Sequence, residues 1–315
     1  MTLVGVFGAN GFIGRHLTRA LVGRGHNVVC FARQFPLDFQ AEFGATVDMR
    51  LIDLHDDIQT HTRILGITHV VQLINSSNAA MGNRKVVADI HSNLIPHVNF
   101  INSCIQSGVQ SFTFLSSGGT VYGRPQTVPI VEDHPTFPLN SYGLTKLFTE
   151  QYLRMLGHDA GMGYNILRVA NPFGPGQLGA GGQGLIGTIL RKVKDGEPLT
   201  IFGDGLSERD YLYIDDTIDA IVRAVETKPM NDVVNIGSGQ GRSILAVLAA
   251  VEAALGAPIA RTHIADRATD TPSNILDPSR AERLLGWKTF TPFETGVAET
   301  VAWNLNHGGP APRQS

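Results

Sequence analysis

Tyr142 and Lys146 stand four residues apart in Ser141-Tyr142-Gly143-Leu144-Thr145-Lys146, which follows a Pro-rich turn (Pro135 to Pro138) and opens a helical run through about Leu156. On a helix the two share one face, one turn apart. A fixed ammonium favours the phenolate, so Tyr142 is expected to have a lowered pKa and to accept a proton near neutral pH. Tyr and Lys at this spacing also sit on many ordinary helices, so the pair means chemistry only if other elements bring partners to it.

Those elements begin at the N-terminus. Leu3 to Phe7 is an apolar run without alternation, as expected of a strand buried on both faces. It meets Gly8-Ala9-Asn10-Gly11-Phe12-Ile13-Gly14 and then a helical pattern. In such a strand–turn–helix, Gly8 permits the tight turn, Gly11 lets backbone approach a pyrophosphate, and Gly14 lets helix pack on strand. The helix N-terminus adds N–H donors and partial positive charge for phosphate.

Asn27 to Ala32 reads as a second strand. Many NAD enzymes place an acid at its end, on the adenosine ribose; here Ala32 and Arg33 stand there. Arg33 can pair with a 2′-phosphate, which favours NADP, stack on adenine, or stand solvated in the loop. A third strand ends near Ile52, ahead of Asp53-Leu54; Asp53 also fits a helix N-cap. Thr68 to Ile74 is a fourth strand, with the exit Asn75-Ser76-Ser77-Asn78. A long helix follows, roughly Asn83 to Gln106, which Pro96 is expected to kink.

Ser111 to Ser116 is a fifth strand, running into Ser117-Gly118-Gly119-Thr120-Val121-Tyr122-Gly123. Asn165 to Val169 is a sixth, leading to Asn171-Pro172-Phe173-Gly174. Strand and helix alternate throughout, which predicts an α/β fold, a Rossmann-type doubly wound parallel sheet. Ligands of such sheets bind outside the carboxyl ends of the strands, where these hydroxyls lie. After Gly174 the composition shifts. Gly179 to Gly187 holds five glycines and reads as a mobile loop. Strand-like pieces at Leu199 to Phe202 and Val233 to Ile236 then suggest a smaller domain folding back over the sheet. The expected division is 1–174 for the dinucleotide domain, 175–307 mainly for a substrate domain whose elements can cross over, and 308–315 as a disordered tail.

With 315 residues, 43% of them hydrophobic, the chain can bury a large core. A net charge of −3 without a basic block gives no reason to expect nucleic acid or an anionic membrane surface. Cys30 and Cys104 lie in apolar surroundings and read as buried free thiols of a reducing compartment, not as a disulfide or a metal site. The apolar N-terminus lacks a basic flank and enters the glycine turn directly, unlike a signal peptide. Ile244 to Leu255 is too short to span a bilayer. A soluble cytoplasmic protein is expected.

The G-x-x-G-x-x-G turn, Ser117 after a strand, Tyr142 with Lys146, Asn171-Pro172, Arg209-Asp210-Tyr211 followed by Asp215, Arg267 with Asp270, and Leu285-Gly286-Trp287 occur in one order. Together, over about residues 3 to 303, this pattern resembles the extended short-chain dehydrogenase/reductases, in particular the UDP-glucose 4-epimerase-like branch that modifies nucleotide sugars. The resemblance implies a tightly held NAD, NADP being possible. Its contacts would come from Gly8, Asn10, Gly11, Phe12, Ile13, Gly14, Arg33, Asp53, Leu54, Leu73, Asn93, Tyr142, Lys146 and Pro172. Tyr142 would be the acid/base, and Lys146 would bind the nicotinamide ribose and hold the phenolate pKa down. Asn171, Arg209 and Arg267 would hold the diphosphate, as guanidinium forks suit phosphate. Plainer roles are open to them: Arg209 could pair with Asp210, Asp215 or Asp216, and Asn171 could cap a turn. The family also implies a homodimer through the helices near 85–106 and 141–156.

One departure stands at the active hydroxyl. Many epimerases carry it four residues before the tyrosine of the Tyr122-Gly123 pair, which here is Gly118. Ser117 and Thr120 flank it; Ser117 is expected to bridge the sugar oxygen and Tyr142, with Thr120 as a further substrate contact. Related 4,6-dehydratases carry an Asp-Glu pair at this place. Gly118-Gly119 offers no acid to protonate a leaving hydroxyl, which disfavours dehydration. The pattern therefore implies a nucleotide-sugar 4-epimerase acting on a UDP-hexose or its N-acetyl analogue. The alternatives are an NADP-dependent 4-keto-sugar reductase, which Arg33 favours, and a non-catalytic dinucleotide-binding regulator.

Overall fold

The computed structural model describes residues 2–77, 83, 85–177, 184–265 and 271–307. The first half alternates strand and helix: β1 Leu3–Phe7, α1 Phe12–Gly23, β2 Asn27–Ala32, α2 Leu37–Phe43, β3 Asp48–Leu51, α3 Asp57–Arg63 and β4 His69–Gln72. Then come α4 Val86–Asp89, a π-helical turn at Ile90–Leu94, α5 Ile95–Gln106, β5 Ser111–Ser117, α6 Ser141–Ala160, β6 Gly163–Val169 and β7 Asn171–Phe173. The second half holds α7 Leu185–Asp195, β8 Leu199–Phe202, β9 Glu208–Tyr213, α8 Ile214–Glu226, β10 Asp232–Ile236, β11 Gly241–Ser243 and α9 Ile244–Leu255. It ends with β12 Arg261–Ile264, β13 Ser273–Asn274, α10 Ser279–Leu285 and α11 Phe293–His307.

Seven strands form one sheet in the order β10-β6-β5-β4-β1-β2-β3, every pairing parallel. Chain direction across the sheet reverses between β1 and β4, the switch point at which such sheets bind dinucleotides. Strand alternation divides the apolar residues between two cores. Val4, Val6, Val28, Cys30, Leu115 and Leu167 pack under α1 and α8; Phe7, Phe31, Phe112, Phe114 and Ile166 pack under α3, α5 and α6. Cys30 lies in the first core and Cys104 in the second, both as free thiols. Burial raises both thiol pKa values, Cys30 to about 11, consistent with inert packing groups.

The later residues do not stay apart from the sheet. β10 pairs with β6 along its full length, Asp232 with Asn165 through Ile236 with Val169, and α8 covers the same face as α1. What remains is a small sheet in which β9 pairs with β7, β11 and β13, plus the parallel pair β8 and β12. Trp287, fully buried, donates its indole N–H to the Asp216 carbonyl at 3.0 Å and ties the last third of the chain to α8.

Two readings of the sequence change here. The helix expected over 83–106 starts at Val86 and, instead of kinking at Pro96, widens into the π turn ahead of it. Pro96 has no N–H for the Ser92 carbonyl, which Ser76 Oγ approaches at 3.5 Å, while His97 Nδ1 takes the Asn93 carbonyl. The run Gly179 to Gly187 is not all loop, because α7 begins at Leu185; residues 178–183 and 308–315 lie outside the described residues.

The glycine turn is the tightest point of the fold. Gly8 has φ +87°, and a Cβ on Gly14 would lie 2.2 Å from the Gly8 carbonyl and 2.7 Å from Ala9 Cα. Gly14→Ala is therefore expected to cost roughly 1–3 kcal/mol in chemical denaturation and to weaken dinucleotide binding. An unchanged midpoint would refute this packing argument.

Candidate active site

The carboxyl ends of β1, β4, β5 and β6 lie on one side of the parallel sheet, and the glycine turn, Leu73, Ser117 and Asn171 follow them there. Gly8 N and Ala9 N both donate to the Phe31 carbonyl, at 2.8 and 3.2 Å, and Asn10 Nδ2 donates to the Gln34 carbonyl at 2.9 Å. The turn is thus buckled to the end of β2. Gly11 N-caps α1, and no side chain caps that helix or places an acid in its first turn. The donors at Phe12, Ile13 and Gly14 are left to a ligand, the arrangement a pyrophosphate fits. Leu73 N bonds to the Phe7 carbonyl at 2.9 Å, and a Cβ on Gly8 would meet the Leu73–Ile74 peptide at 3.2–3.3 Å. The backbone after β1 and that after β4 are therefore packed closely together.

Asn93 is buried, and all four of its hydrogen-bonding places are filled. Oδ1 accepts from Ser76 N and Ser76 Oγ, both at 2.9 Å; Nδ2 donates to Ser77 Oγ at 3.1 Å and Asp89 Oδ1 at 2.7 Å. It positions the β4 exit, and the unusual serines there are its partners. Asp53 Oδ1 accepts from His55 N at 3.1 Å; the helix cap considered for it is made by Asp56 to Gln59 N at 2.9 Å. Leu54 is buried, and Arg33 is exposed.

α6 starts with its own cap, Asn140 Oδ1 accepting from Gly143 N at 2.8 Å, and Asn83 Oδ1 accepts from Ser141 N at 2.9 Å. This sets Tyr142 against the end of β5, near enough to Ser117 for that hydroxyl to lower the phenol's pKa. Lys146, buried, donates to the Leu115 carbonyl at 2.8 Å and lies 4.7 Å from the Phe114 ring centre and 6.0 Å from that of Tyr142. The expectation that the Lys146 ammonium lowers the Tyr142 pKa is corrected. Burial raises the Tyr142 pKa, Ser117 lowers it and Asp89 raises it further, while the ammonium is aimed at a carbonyl. Burial pushes Lys146 down to about 8, partly offset by Glu150.

Sequence reasoning missed what holds this pair. Glu150, one turn beyond Lys146 and fully buried, forms a 2.7 Å ion pair with Arg168 of β6, and Ser116 Oγ donates to the same carboxylate. The signal was present: an arginine inside the apolar run Ile166-Leu167-Arg168-Val169 must have a buried partner.

Gly118 also finds its reason. A Cβ there would lie 2.4 Å from Leu276 Cδ1 and 3.0 Å from the Arg168 carbonyl, so Leu276 fills the space a side chain would need. The Thr120 hydroxyl is buried without a partner, beside the Gly143 backbone. Asn171 Nδ2 donates to the Asp210 carbonyl at 2.7 Å. Pro172 accepts from Gln177 Nε2 at 2.8 Å. Arg209 donates to the Glu208 and Thr271 carbonyls at 2.7 and 2.8 Å. None of its suggested acidic partners in the sequence takes it. Asp210 is bound by Ser238, Gly239 and Leu276, and Asp216 by Thr289, Phe290 and Thr291. Among the described residues no ion pair joins Arg209 to Asp215. Arg267 lies outside the described residues.

A parallel sheet with this switch point, a glycine cradle and a Ser–Tyr–Lys cluster defines a dinucleotide-dependent short-chain dehydrogenase-type protein. Residues 4–237 match the NAD dependent epimerase/dehydratase family, and the chain belongs to that family, whose cofactor is NAD. It is 30% identical over 306 residues to the dTDP-4-dehydro-6-deoxyglucose reductase of Escherichia coli, covering 94% of this chain and 95% of the relative. It is 29% identical over 313 residues to the UDP-glucose 4-epimerase of Mycolicibacterium smegmatis, covering 96% and 98%. The crystal structure of UDP-glucose 4-epimerase with UDP-glucose from Thermotoga maritima superimposes with a TM-score of 0.90 at 28% identity, covering 97% of this chain and 99% of that one.

The Lys146 environment has a measurable cost. Its pKa is about 8 in the fold, against roughly 10.4 for a free lysine. Between those values the unfolded chain holds more protons, so stability rises with pH through that window and the penalty is fully present below pH 8. Lys146→Met should abolish turnover yet melt above the wild type at pH 7, with the gap closing towards pH 10. A wild type that melts higher at pH 7 would contradict the burial argument.

Proposed function

We propose that this protein is a nucleotide-sugar 4-epimerase acting on a UDP-hexose. The observation that carries the reading is the Tyr142 phenol set beside Ser117 at the end of β5 and beside buried Lys146, with only glycine at 118 and 119. Bound NAD supplies the hydride acceptor, a donor in turn, and a positive ring that favours the phenolate. Tyr142 takes the 4-hydroxyl proton, holds it and returns it. Ser117 donates to the phenolate and lines up the sugar oxygen, and Lys146 orients the ribose. Asn171, Arg209 and Arg267 hold the diphosphate, so the sugar is free to turn while its anchor stays. The glycine pair offers no group to expel a neighbouring hydroxyl, which leaves epimerisation over elimination.

A second reading, an NADP-dependent 4-keto-sugar reductase, is favoured by exposed Arg33 where NAD enzymes carry an acid. The readings separate cleanly. Protein without added nicotinamide, incubated with UDP-glucose or UDP-N-acetylglucosamine, should yield the galacto isomer in the anomeric proton spectrum. Tyr142→Phe should lower kcat at least about 100-fold with KM little changed. Stoichiometric NADPH oxidation with a 4-keto sugar, and no isomer, would instead establish the reductase.

No helix among the described residues is long and apolar enough to cross a membrane, and a cytoplasmic homodimer is part of the proposal. Its support is a stripe on α6, where Leu144, Phe148, Tyr152 and Met155 are 38–50% exposed at helical spacing, with Ile95 of α5 also exposed. Phe148→Glu should convert a dimer to a monomer in light scattering; an unchanged mass would remove α6 as the interface.

A further inference from the structure

A cavity of about 340 Å³ opens where β7, β9 and β11 meet the start of α11. The glycine turn, Ser117, Tyr142, Lys146, Asn171 and Arg209 are not among its lining residues. Its walls are aromatic: Phe173 and Tyr211 come from the small sheet, Phe290 and Phe293 from the segment that enters α11. The Phe293 ring centre lies 5.4 Å from that of Phe173 and 6.0 Å from that of Tyr211. Phe290 is 61% exposed and stands at the rim, on a loop whose Thr289, Phe290 and Thr291 all donate to the Asp216 carboxylate.

Polar groups converge on this apolar wall, as they do in small-molecule sites. Tyr211 is only 8% exposed, yet among the described residues no hydrogen bond takes its hydroxyl. Buried hydroxyls are ordinarily bonded, so this one is available to a ligand. The Arg242 guanidinium lies 5.4 Å from the Phe293 ring centre, and it donates to Gln240 Oε1 at 2.9 Å and to the Gly241 carbonyl at 3.2 Å. Those contacts fix the fork without neutralising it: among the described residues no carboxylate pairs with Arg242. The first bond of α11 runs from Gly296 N to the Pro292 carbonyl at 3.1 Å, so the amides of Phe293, Glu294 and Thr295 precede it. They bring the positive end of a 15-residue helix to the same cavity. Glu294, in that first turn, is the one acid among the lining residues.

We propose that this cavity is a binding site, separate from the dinucleotide and the sugar, for a planar aromatic carboxylate. The ring enters among Phe290, Phe293 and Tyr211, and the carboxylate meets the Arg242 fork and the α11 amides. The Tyr211 hydroxyl bonds a polar edge of the ligand. An inorganic anion leaves the aromatic wall uncovered, and a neutral ring leaves the guanidinium without its counter-charge, so neither matches the site as a whole. The inference is independent of the reaction proposed above, and its failure leaves that reaction untouched.

The test is a titration of the full chain with 6-fluoro-2-naphthoate, followed by fluorine NMR, with NADH and UDP present at saturation. Binding is expected with a Kd below about 1 mM, unchanged when either nucleotide is left out. The neutral 6-fluoro-2-naphthamide should bind at least about fivefold more weakly to the same protein. Arg242→Gln should weaken the naphthoate about tenfold, and Phe290→Ala about threefold. Glu294→Gln should tighten it, because the opposing charge is gone. Displacement of the probe by NADH or UDP would place it in the nucleotide cleft and overturn the proposal. So would equal affinity for the naphthoate and the naphthamide, or no saturation at several times that concentration. Phe290 is exposed and the naphthamide comparison needs no substitution, so the outcome does not hang on how Arg242→Gln folds.

Discussion

The buried pair of Glu150 and Arg168 is the constraint on which the catalytic geometry rests. Taking two charges out of water costs several kcal/mol each, and a well-packed apolar pair would often be as stable. What the pair provides is position. It clamps α6 to β6 and, through Ser116, to β5 one residue before Ser117. Lys146, a turn earlier on the same helix, is drawn to the Leu115 carbonyl of the same strand. With three successive residues of β5 engaged around one helix, the Ser117 hydroxyl and the Tyr142 phenol have little freedom except to meet. An apolar seam would allow a small slip along the sheet; a bidentate guanidinium–carboxylate fork does not.

The same economy connects the late part of the chain to the catalytic loop. Asp210, fully buried and with its pKa raised to about 6 by that burial, gathers the amides of Ser238, Gly239 and Leu276. This brings Leu276 over Gly118, while Asn274 Nδ2 donates to the Gly118 carbonyl at 3.3 Å. The missing hydroxyl at 118 is therefore not a gap in the site. Its space is occupied by the leucine.

Much of this was legible in the chain. The unbroken apolar strands, the glycine turn and the alternation of elements predict the parallel sheet, because a strand buried on both faces needs no polar alternation. Tyr142 and Lys146 were found by their helical spacing and Ser117 by its place at the end of a strand, set in the order of motifs along the chain. Other features were not legible for identifiable reasons. β10 reads locally like any short strand, and only tertiary pairing with β6 assigns it to the main sheet. Pro96 announces a disturbed helix but not its form, since the π turn depends on who takes the freed carbonyls. Asn93 has the right residue type for a cofactor contact, yet its partners come from Ser76 and Ser77 on a different element.

The most consequential difference is the Tyr142 phenol. Pair geometry on an isolated helix suggests a phenol made more acidic by the cation alongside. In the folded cleft, burial acts on both members in the direction of neutrality: it raises the phenol and lowers the ammonium. The protein alone therefore holds its base in the protonated form. A phenolate becomes accessible when positive charge enters next to it and water leaves, and the cofactor's oxidised ring is the group that brings such charge. On the proposed reading, a dinucleotide held at the glycine turn would make proton removal conditional on its oxidised form, so that the base would be strong only when there is somewhere for the hydride to go.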